Sequence, residues 1–384
     1  NYTVRGYQSS VQPTITLGVG ADVTKLDSLV IYWPHGDYSV IYSLSVNHHY
    51  HFEYESMNRF KLNVKQSDDA MPFSLHRVDS SIDYQGSGLL DFNRERLLPL
   101  MYSTECPALI KADIDADGLP EVYLGGGKDQ PGTFFHFGEA IQKKQLDEFK
   151  LYSLSEETEG VFFDADKDGD LDFYFATGGR FYPTISSAQR DRLFLNLGNG
   201  RFQESITPLP LPDFSTSKVL PIDFDQDGDL DLIVTERFDP FNYGRGGRGY
   251  LLQNNGRGEF SEVTKNFAPD LLNQQMIADG VVADYNQDGW QDLVLVGDWM
   301  PVTFLRNNLG KLEADNNYNF KASTGWWNTI ESADLNRDGI PDFVIGNHGK
   351  NSFFQPGIRM YVHDFDENGA VEQIFCSSVG GRYT

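Results

Sequence analysis

Six nine-residue acidic segments repeat along this chain and constrain its fold more than any other feature. They begin at Asp113, Asp164, Asp223, Asp284, Asp334 and Asp364 and read DIDADGLPE, DADKDGDLD, DFDQDGDLD, DYNQDGWQD, DLNRDGIPD and DFDENGAVE. The first five starts are 51, 59, 61 and 50 residues apart, and the sixth follows after 30. Self-similarity at a nearly fixed period indicates a repeat architecture in which each unit packs against the next.

Each segment has the side-chain pattern of a calcium-binding loop. An oxygen-bearing side chain stands at positions 1, 3, 5 and 9, and glycine stands at position 6. Calcium takes about six to eight oxygen ligands, and glycine permits the backbone conformation that closes the turn. Position 7 is predicted to donate its carbonyl oxygen and position 9 the last carboxylate. We therefore expect about five calcium ions, with a sixth loop that is degenerate.

The predicted ligands follow these positions in all six loops. They are Asp113, Asp115, Asp117, Leu119 and Glu121; Asp164, Asp166, Asp168, Asp170 and Asp172; Asp223, Asp225, Asp227, Asp229 and Asp231; Asp284, Asn286, Asp288, Trp290 and Asp292; Asp334, Asn336, Asp338, Ile340 and Asp342; and Asp364, Asp366, Asn368 and Glu372.

An EF-hand is the nearest alternative, and the pattern excludes it. That loop needs a glutamate at position 12 between two helices, whereas position 12 is apolar here. It is Leu124, Phe175, Val234, Leu295, Ile345 and Phe375 in the six segments. Solvated acidic loops are the other alternative, but 24 of the 56 acidic residues lie in the six segments of a chain with a net charge of −25. Clustering of that kind is costly unless cations lie among the carboxylates.

The flanking residues predict an all-β fold. Short runs such as LDFYFAT, LDLIVTE and QDLVLVG follow the acidic segments and are typical of strands buried on both faces. The segments RLFLNLGNGRFQES, YLLQNNGRGEFSEV and TFLRNNLGKLEA each predict strand, turn and strand. Four strands in about 50 residues form one blade of a β-propeller. The acidic charge argues against nucleic acid as a partner, and no apolar run is long enough for a transmembrane helix.

The acidic repeats resemble the FG-GAP/VCBS repeats, which are also found in integrin α-subunits. DFNRERLLP, STECPALIKADIDADGLPEVYLGGG and GWWNTIESADLNRDGIPDFVIGNHGKNS resemble large VCBS-repeat proteins of Bacteroidetes. RGYQSSVQPTITLGVG and LDSLVIYWPHGDY resemble an ASPIC/UnbV module. The resemblance implies a calcium-binding propeller, seven-bladed when complete, preceded by a small β-module. We expect a partial module over residues 1–60, a connector over 61–103 and the propeller over 104–384, within a longer protein.

The same resemblance implies a setting and partners. Such proteins are secreted or lipid-anchored on the extracellular face of the outer membrane, and some are encoded beside TonB-dependent transporters. We therefore expect a non-enzymatic, calcium-stabilised propeller that acts in binding or assembly, with a transporter or another surface lipoprotein as protein partner. A carbohydrate-active lyase or hydrolase on a propeller scaffold and an adhesin remain alternatives. No catalytic motif is present, although spatial carboxylate pairs do not show in sequence.

Several other residues are weaker candidates. His48, His49 and His51 could hold a metal if they lay on a strand, but no third ligand is near. Trp326, Trp327 and Trp299 could form a carbohydrate platform, although buried packing is favoured. Salt-bridged structural roles are favoured over ligand binding for Arg180, Tyr182, Arg190 and Arg192. The Gly- and Arg-rich insertion over 238–250, with Arg245 and Arg248, is either a binding loop or a blade-edge cover. Cys106 and Cys376 are expected to be unpaired.

Overall fold

The computed structural model describes most of the chain, in two compact units. The described residues are 23–33, 37–54, 58, 60–61, 84, 86, 88–104, 107–137, 141–273, 275–318, 320–348, 358–369, 371–379 and 382–383. The first unit comprises Asn1–Ser80 and the second Ser81–Thr384. No helix among the described residues is long and apolar enough to cross a membrane.

The first unit contains one small antiparallel sheet. Strand β1 (Lys25–Tyr32) pairs with β2 (Asp37–Ser45), and β2 pairs with the short β3 (Phe60–Lys61). Residues 34–36, between β1 and β2, fall outside the described residues. The boundaries at residues 60 and 103 stay predictions.

Three four-stranded antiparallel sheets and one six-stranded sheet form most of the second unit. Within each four-stranded sheet, and among the first four strands of the six-stranded sheet, the strands pair in chain order, apart from one hairpin inserted in the third sheet. The strands are β4 (Leu109–Ala112), β5 (Glu121–Leu124), β6 (Thr133–Phe137) and β7 (Ile141–Lys144); β8 (Glu156–Phe163), β9 (Asp172–Gly178), β10 (Arg192–Asn196) and β11 (Phe202–Glu204); β12 (Thr216–Ile222), β13 (Asp231–Glu236), β16 (Gly249–Asn254) and β17 (Phe260–Glu262); and β18 (Met276–Ala283), β19 (Asp292–Met300), β20 (Thr303–Asn307) and β21 (Leu312–Ala314).

The remaining elements are short pairs and single turns of helix. The pairs are β14 (Phe238–Asp239) with β15 (Asn242–Gly246), β24 (Arg359–His363) with β25 (Glu372–Cys376), and β26 (Ser378–Val379) with β27 (Arg382–Tyr383). The strands β22 (Gly325–Ala333) and β23 (Asp342–Asn347) pair with each other and complete the six-stranded sheet, because β22 also pairs with β19. The α-helices are α1 (Asp147–Lys150) and α2 (Thr264–Phe267). Single 3-10 turns span Asp91–Asn93, Tyr102–Thr104, Ser187–Gln189, Pro269–Leu272 and Lys321–Ser323.

Successive sheets lie side by side through their first strands, as propeller blades do. Strand β8 contacts β4 on one side and β12 on the other, and β18 contacts both β12 and β22. Three apolar clusters are each shared by two consecutive sheets. One of them joins Ile222 and Ile233 to Leu293 and Leu305. The predicted all-β class is confirmed, and the apolar faces of the sheets account for it because each is covered by the next blade.

The second strand of a blade is the most deeply buried. Every residue of β9 (DFYFATG) is buried, and so are the first five residues of β13 (DLIVTE). These are the runs that lacked polar alternation in the sequence, as expected for strands covered on both faces. The acidic loop that precedes each of them is consequently anchored to the most rigid part of its blade.

Candidate metal centre

All six acidic segments occupy the same place in the fold. Each one is the hairpin loop between the first and second strand of an antiparallel pair. The pairs are β4–β5, β8–β9, β12–β13, β18–β19, β22–β23 and β24–β25. Strands flank every loop, so the exclusion of the EF-hand is confirmed.

The six loops also share one unusual backbone conformation. Glycine at position 6 has φ between 83° and 93° in every loop, from Gly118 to Gly369. Around Gly118, Gly169, Gly289 and Gly339 a Cβ atom would meet nothing, so glycine is needed there for its left-handed φ and not for space. Position 4 is never glycine and still has φ between 57° and 65°. The sixth loop, predicted to be degenerate, follows the same path.

The first carboxylate closes each turn by accepting backbone N–H groups. In the first loop Asp113 accepts from Gly118 N at 2.9 Å. The position-6 N–H makes the same bond at 2.8–3.1 Å in the loops that begin at Asp164, Asp284, Asp334 and Asp364. The sequence missed these bonds, which shape the loop before any ion is considered.

In the second and third loops the last carboxylate, at position 9, is buried and held from two sides. Asp172 accepts from Ala165 N, at position 2 of its loop, at 2.8 Å and from Asn196 N at 2.7 Å. Asp231 is held by the corresponding N–H groups of its own blade. Burial raises the pKa of both Asp172 and Asp231 to about 7, because a desolvated carboxylate without a cation favours its neutral form.

These carboxylates converge in space. Oxygens from positions 1, 3 and 9 lie within 4.8 Å of one another in four loops, at Asp113, Asp115 and Glu121; Asp164, Asp166 and Asp172; Asp223, Asp225 and Asp231; and Asp364, Asp366 and Glu372. In the other two loops asparagine replaces the aspartate at position 3. Asn286 Oδ1 accepts a hydrogen bond from the N–H of position 5 at 2.8 Å, as the Oδ1 atom of Asp115 does in the first loop. The amide oxygen of asparagine therefore takes the place of the aspartate oxygen at position 3.

The residues present fit calcium. Asp164 Oδ1, Asp223 Oδ1 and Asp225 Oδ1 are buried and accept no hydrogen bond from the described residues. Buried acceptors without donors carry a desolvation cost, and a cation between them would remove it. All the side-chain atoms that could coordinate an ion here are oxygens, which favours calcium over metals that prefer nitrogen or sulfur ligands. The position-5 side chains and the position-7 carbonyls stay predicted ligands.

Two sequence comparisons match parts of the chain. A family profile described as FG-GAP-like repeat matches residues 164–234 and 284–345. Both stretches begin at an acidic loop of the geometry above and end within the strand that follows such a loop, β13 in the first case and β23 in the second. A profile described as ASPIC and UnbV matches residues 1–59. The chain is an FG-GAP-like repeat protein with an ASPIC/UnbV region.

Solved structures with some similarity belong to proteins of different kinds. The V. cholerae biofilm matrix protein Bap1 is 13% identical over 62% of this chain, with a TM-score of 0.34; the match covers 34% of Bap1, so this chain spans about a third of its length. A putative exo-beta-1,3-galactanase from Bifidobacterium bifidum is 11% identical over 71% of this chain and 89% of its own, with a TM-score of 0.35. The Photorhabdus luminescens Tc holotoxin pore is 14% identical over 71% of this chain and 13% of its own, with a TM-score of 0.22. No curated protein matches the sequence.

Three asparagines join consecutive FG-GAP-like repeats, and sequence reasoning missed them. Asn196, at the end of β10, donates from Nδ2 to the carbonyl of Ile114 in the loop of the preceding repeat at 2.9 Å. Asn254 and Asn307 make the equivalent bond to the loop before their own, at 2.8 Å in both cases. The sequence does carry a signal for these asparagines. Each of the three strands, β10, β16 and β20, ends in asparagine, and a glycine follows two or three residues later.

The histidine cluster does not form a metal site. Strand β2 ends at Ser45, so residues 48–51 do not form the strand on which that idea depended. Tyr50 folds back to bond the backbone of Ser45, and Asn47 has φ of 60°, which together end the strand. His51 pairs with Glu53 at 3.4 Å, and no metal-binding group among the described residues includes a histidine.

The tryptophan and arginine candidates are structural. Trp326 is buried and stacks on Trp299 and His348, which confirms the packing interpretation. Arg180 is almost fully buried and ion-paired with Asp91 and Glu95. Elsewhere Arg190 pairs with Asp213 and Arg192 with Glu204, as expected of salt bridges.

The insertion over 238–250 covers a core. Its strands β14 and β15 pair with each other, and Phe238 and Tyr243 are buried against Tyr102. This favours the edge-cover interpretation for most of the segment, while Arg245 remains exposed. Cys376 is half-buried with a free thiol, and Cys106 lies outside the described residues.

A pocket lies at the end of the first strands opposite the acidic loops. Its volume is about 130 Å³, and it is partly open to solvent. Its wall includes Glu156 and Thr216, where β8 and β12 begin, and Arg180 and Arg237, just after β9 and β13. Arg237 makes a two-point ion pair with the buried Asp298. The acidic loops and this pocket therefore occupy opposite ends of the same strands.

Proposed function

We propose that this chain is a calcium-stabilised, non-enzymatic binding scaffold. The observation that carries the proposal is the convergence of oxygens from positions 1, 3 and 9 in four of the six loops, and several of these oxygens lie buried without a hydrogen-bond donor among the described residues. Bound calcium would supply the positive charge that such clusters need. The position-9 carboxylate would hold the ion, and its bonds to positions within the blade would transmit that restraint to the buried second strand.

A calcium count tests the metal part of the proposal. After dialysis against calcium and removal of unbound metal, elemental analysis should find about five or six calcium ions per chain. Asp164→Asn with Asp172→Asn should remove about one ion, while Asp147→Asn, at an exposed helix position, should remove none. A chain that retains no calcium under these conditions refutes the proposal.

The second part of the proposal concerns the cellular location of the chain and its protein partners. We propose that the chain acts at the extracellular face of the outer membrane, lipid-anchored or secreted, as an accessory subunit of a transporter or biogenesis complex. The support is the combination of FG-GAP-like repeats with an ASPIC/UnbV region in one chain. Affinity purification from native membranes should recover a TonB-dependent transporter or a surface lipoprotein. Recovery of the chain alone from detergent-solubilised membranes would contradict this role.

Carbohydrate chemistry is the second candidate, because the pocket contains charged and hydroxyl side chains together. Glu156, Glu157 and Arg180 line it, and burial raises the pKa of Glu157 to about 7. Against catalysis, the carboxylate of Glu157 accepts from Tyr123 Oη and from Gly132 N, and so is engaged with the preceding blade. Turnover of any polysaccharide in a screen, lost in Glu156→Gln, would favour the enzyme; the scaffold proposal expects none.

A further inference from the structure

The position-4 side chain of three successive loops reaches the next loop along the chain. Gln226 Nε2 donates to the carbonyl of Gly289 at 2.7 Å, and Gln287 Nε2 donates to the carbonyl of Gly339 at 3.1 Å. In the loop before them, Lys167 forms an ion pair with Asp229. Four loops, which begin at residues 164, 223, 284 and 334, are thereby connected in series.

The backbone explains why this position can bridge two loops. Lys167, Gln226 and Gln287 have φ of 63°, 58° and 59°, a left-handed conformation that residues other than glycine adopt at a cost. Sequence alone would place glycine or asparagine there. A long donor side chain in that conformation instead contacts the neighbouring repeat, which offsets part of the cost.

The receiving groups lie next to the predicted metal ligands of the next loop. The carbonyls of Gly289 and Gly339 are at position 6, one peptide before the position-7 carbonyl predicted to coordinate, and Asp229 is itself at position 7. A second bond supports the third and fourth loops, because Asp223 N donates to Gln291 Oε1, at position 8 of the next loop, at 2.9 Å. Each contact therefore restrains the backbone that would surround the neighbouring ion.

We infer that Lys167, Gln226 and Gln287 are positioning residues that make calcium binding by these four loops cooperative. The inference rests on the proposed calcium function. An ion that orders one loop fixes the acceptor or donor of its neighbour, so the next ion binds a loop that has already lost part of its conformational entropy. The first and sixth loops lie outside the series.

The chain provides its own contrast at position 4. Ala116, in the first loop, has no side chain that could reach a neighbour. Arg337, in the fifth loop, shares the backbone conformation with φ of 65°, and none of the hydrogen bonds or ion pairs among the described residues involves its side chain. Arg337→Met is therefore a matched control for Gln226→Met and Gln287→Met, since methionine keeps the length of glutamine and lacks its donor.

The experiment measures calcium isotherms of the full chain by competition with a chromophoric chelator. In the wild type, Asp284→Ala should remove one site and weaken the remaining sites by about two- to tenfold, the range expected for the loss of one or two net hydrogen bonds. In a Gln226→Met, Gln287→Met background the same substitution should remove one site and weaken the others less than in the wild type, since the bond from Asp223 N to Gln291 Oε1 remains. Gln226→Lys keeps a donor at position 4 and should retain the weakening of the remaining sites by Asp284→Ala. Arg337→Met should leave that weakening unchanged.

Each outcome decides a different question. Independent sites in the wild type, or equal effects of Asp284→Ala in the wild-type and double-methionine backgrounds, would overturn the coupling while leaving calcium binding intact. Equal effects of Arg337→Met and Gln226→Met would assign position 4 a merely structural role. A wild-type chain that binds no calcium would overturn the proposed function and this inference together. Circular dichroism of each variant with saturating calcium verifies that the fold is retained.

Discussion

Asn254 joins two neighbouring repeats through one side chain. Its Nδ2 donates to Ala165 O at 2.8 Å and to Leu230 O at 3.1 Å, while its Oδ1 accepts from Gly256 N. Because the Asn254 side chain is buried, its hydrogen-bond partners cannot bond to water instead when the amide is removed. Each unsatisfied group then costs about 1–3 kcal/mol.

We therefore expect Asn254→Ala to lower the free energy of unfolding by about 2–4 kcal/mol. The adjacent Asn255 is exposed and bonds only within its own turn, so Asn255→Ala should change stability by less than about 0.5 kcal/mol. Urea denaturation at saturating calcium measures both. Equal effects of the two substitutions would show that the cross-repeat bonds contribute nothing beyond the turn.

Glu157 gives the molecule a pH dependence that is separate from the metal loops. Desolvation raises its pKa from 4.5 to about 7 in the folded chain, so the folded state holds a proton that the unfolded state has lost. A raised pKa of an acid contributes most to stability below about pH 4.5, and that contribution declines until the pH passes about 7.

Glu157→Gln should remove that decline. The amide can still accept from Gly132 N and can donate to Tyr123 Oη, so packing is kept. Between pH 5 and pH 8 at saturating calcium, the variant should gain stability relative to the wild type by about 2–3 kcal/mol. Exposed Glu148→Gln is the control and should show no such gain. Parallel pH profiles for wild type and Glu157→Gln would contradict the assignment.

At the scale of the element, the same loop has different consequences in different hairpins. The second loop precedes β9, which is buried throughout and lies within a four-stranded blade. The sixth loop joins β24 and β25, which form a two-stranded pair in the described part of the chain. Loss of the restraint that the second loop places on β9 disturbs two apolar clusters. Loss of the restraint in the sixth loop disturbs one hairpin.

Asp168→Ala should accordingly lower the melting temperature of the calcium-loaded chain more than Asp366→Ala. We expect the difference to be at least about 3 °C, which corresponds to about 1 kcal/mol for a domain of this size. Differential scanning calorimetry with and without a calcium chelator measures it. If both substitutions have the same effect with chelator as without, the changes do not act through a metal.

The charge of the whole molecule predicts how it behaves without metal. The chain carries a net charge of −25 and holds 24 of its 56 acidic residues in six short loops. Chelation should lower the melting temperature because calcium binds the folded state preferentially. Added salt should recover part of that loss, since it screens the exposed loops, and should affect the calcium-loaded chain less.

Magnesium distinguishes a shaped site from simple charge neutralisation. It demands near-octahedral geometry and loses its water reluctantly. Calcium should restore the melting temperature of the chelated chain at concentrations where magnesium does not. Equal recovery with both ions would mean that the loops act as a diffuse acidic surface.

The sequence by itself determined the repeat, the loops and the strands, because these depend on residues a few positions apart. Nine consecutive residues define each loop, and the apolar run that follows, as in LDFYFAT, indicates a buried strand without knowledge of what covers it. Even the departure from the EF-hand could be read from one apolar residue, such as Phe175, three positions after the last carboxylate.

The tertiary structure alone decided what depends on which repeat lies next to which. Asn196 reaches the carbonyl of Ile114 and Gln226 that of Gly289, although each pair is more than 60 residues apart in sequence. Likewise Arg180 finds Asp91 across 89 positions, and its buried charge is compensated only after folding. Such contacts carry no local period, because a side chain's partner is set by the packing of blades.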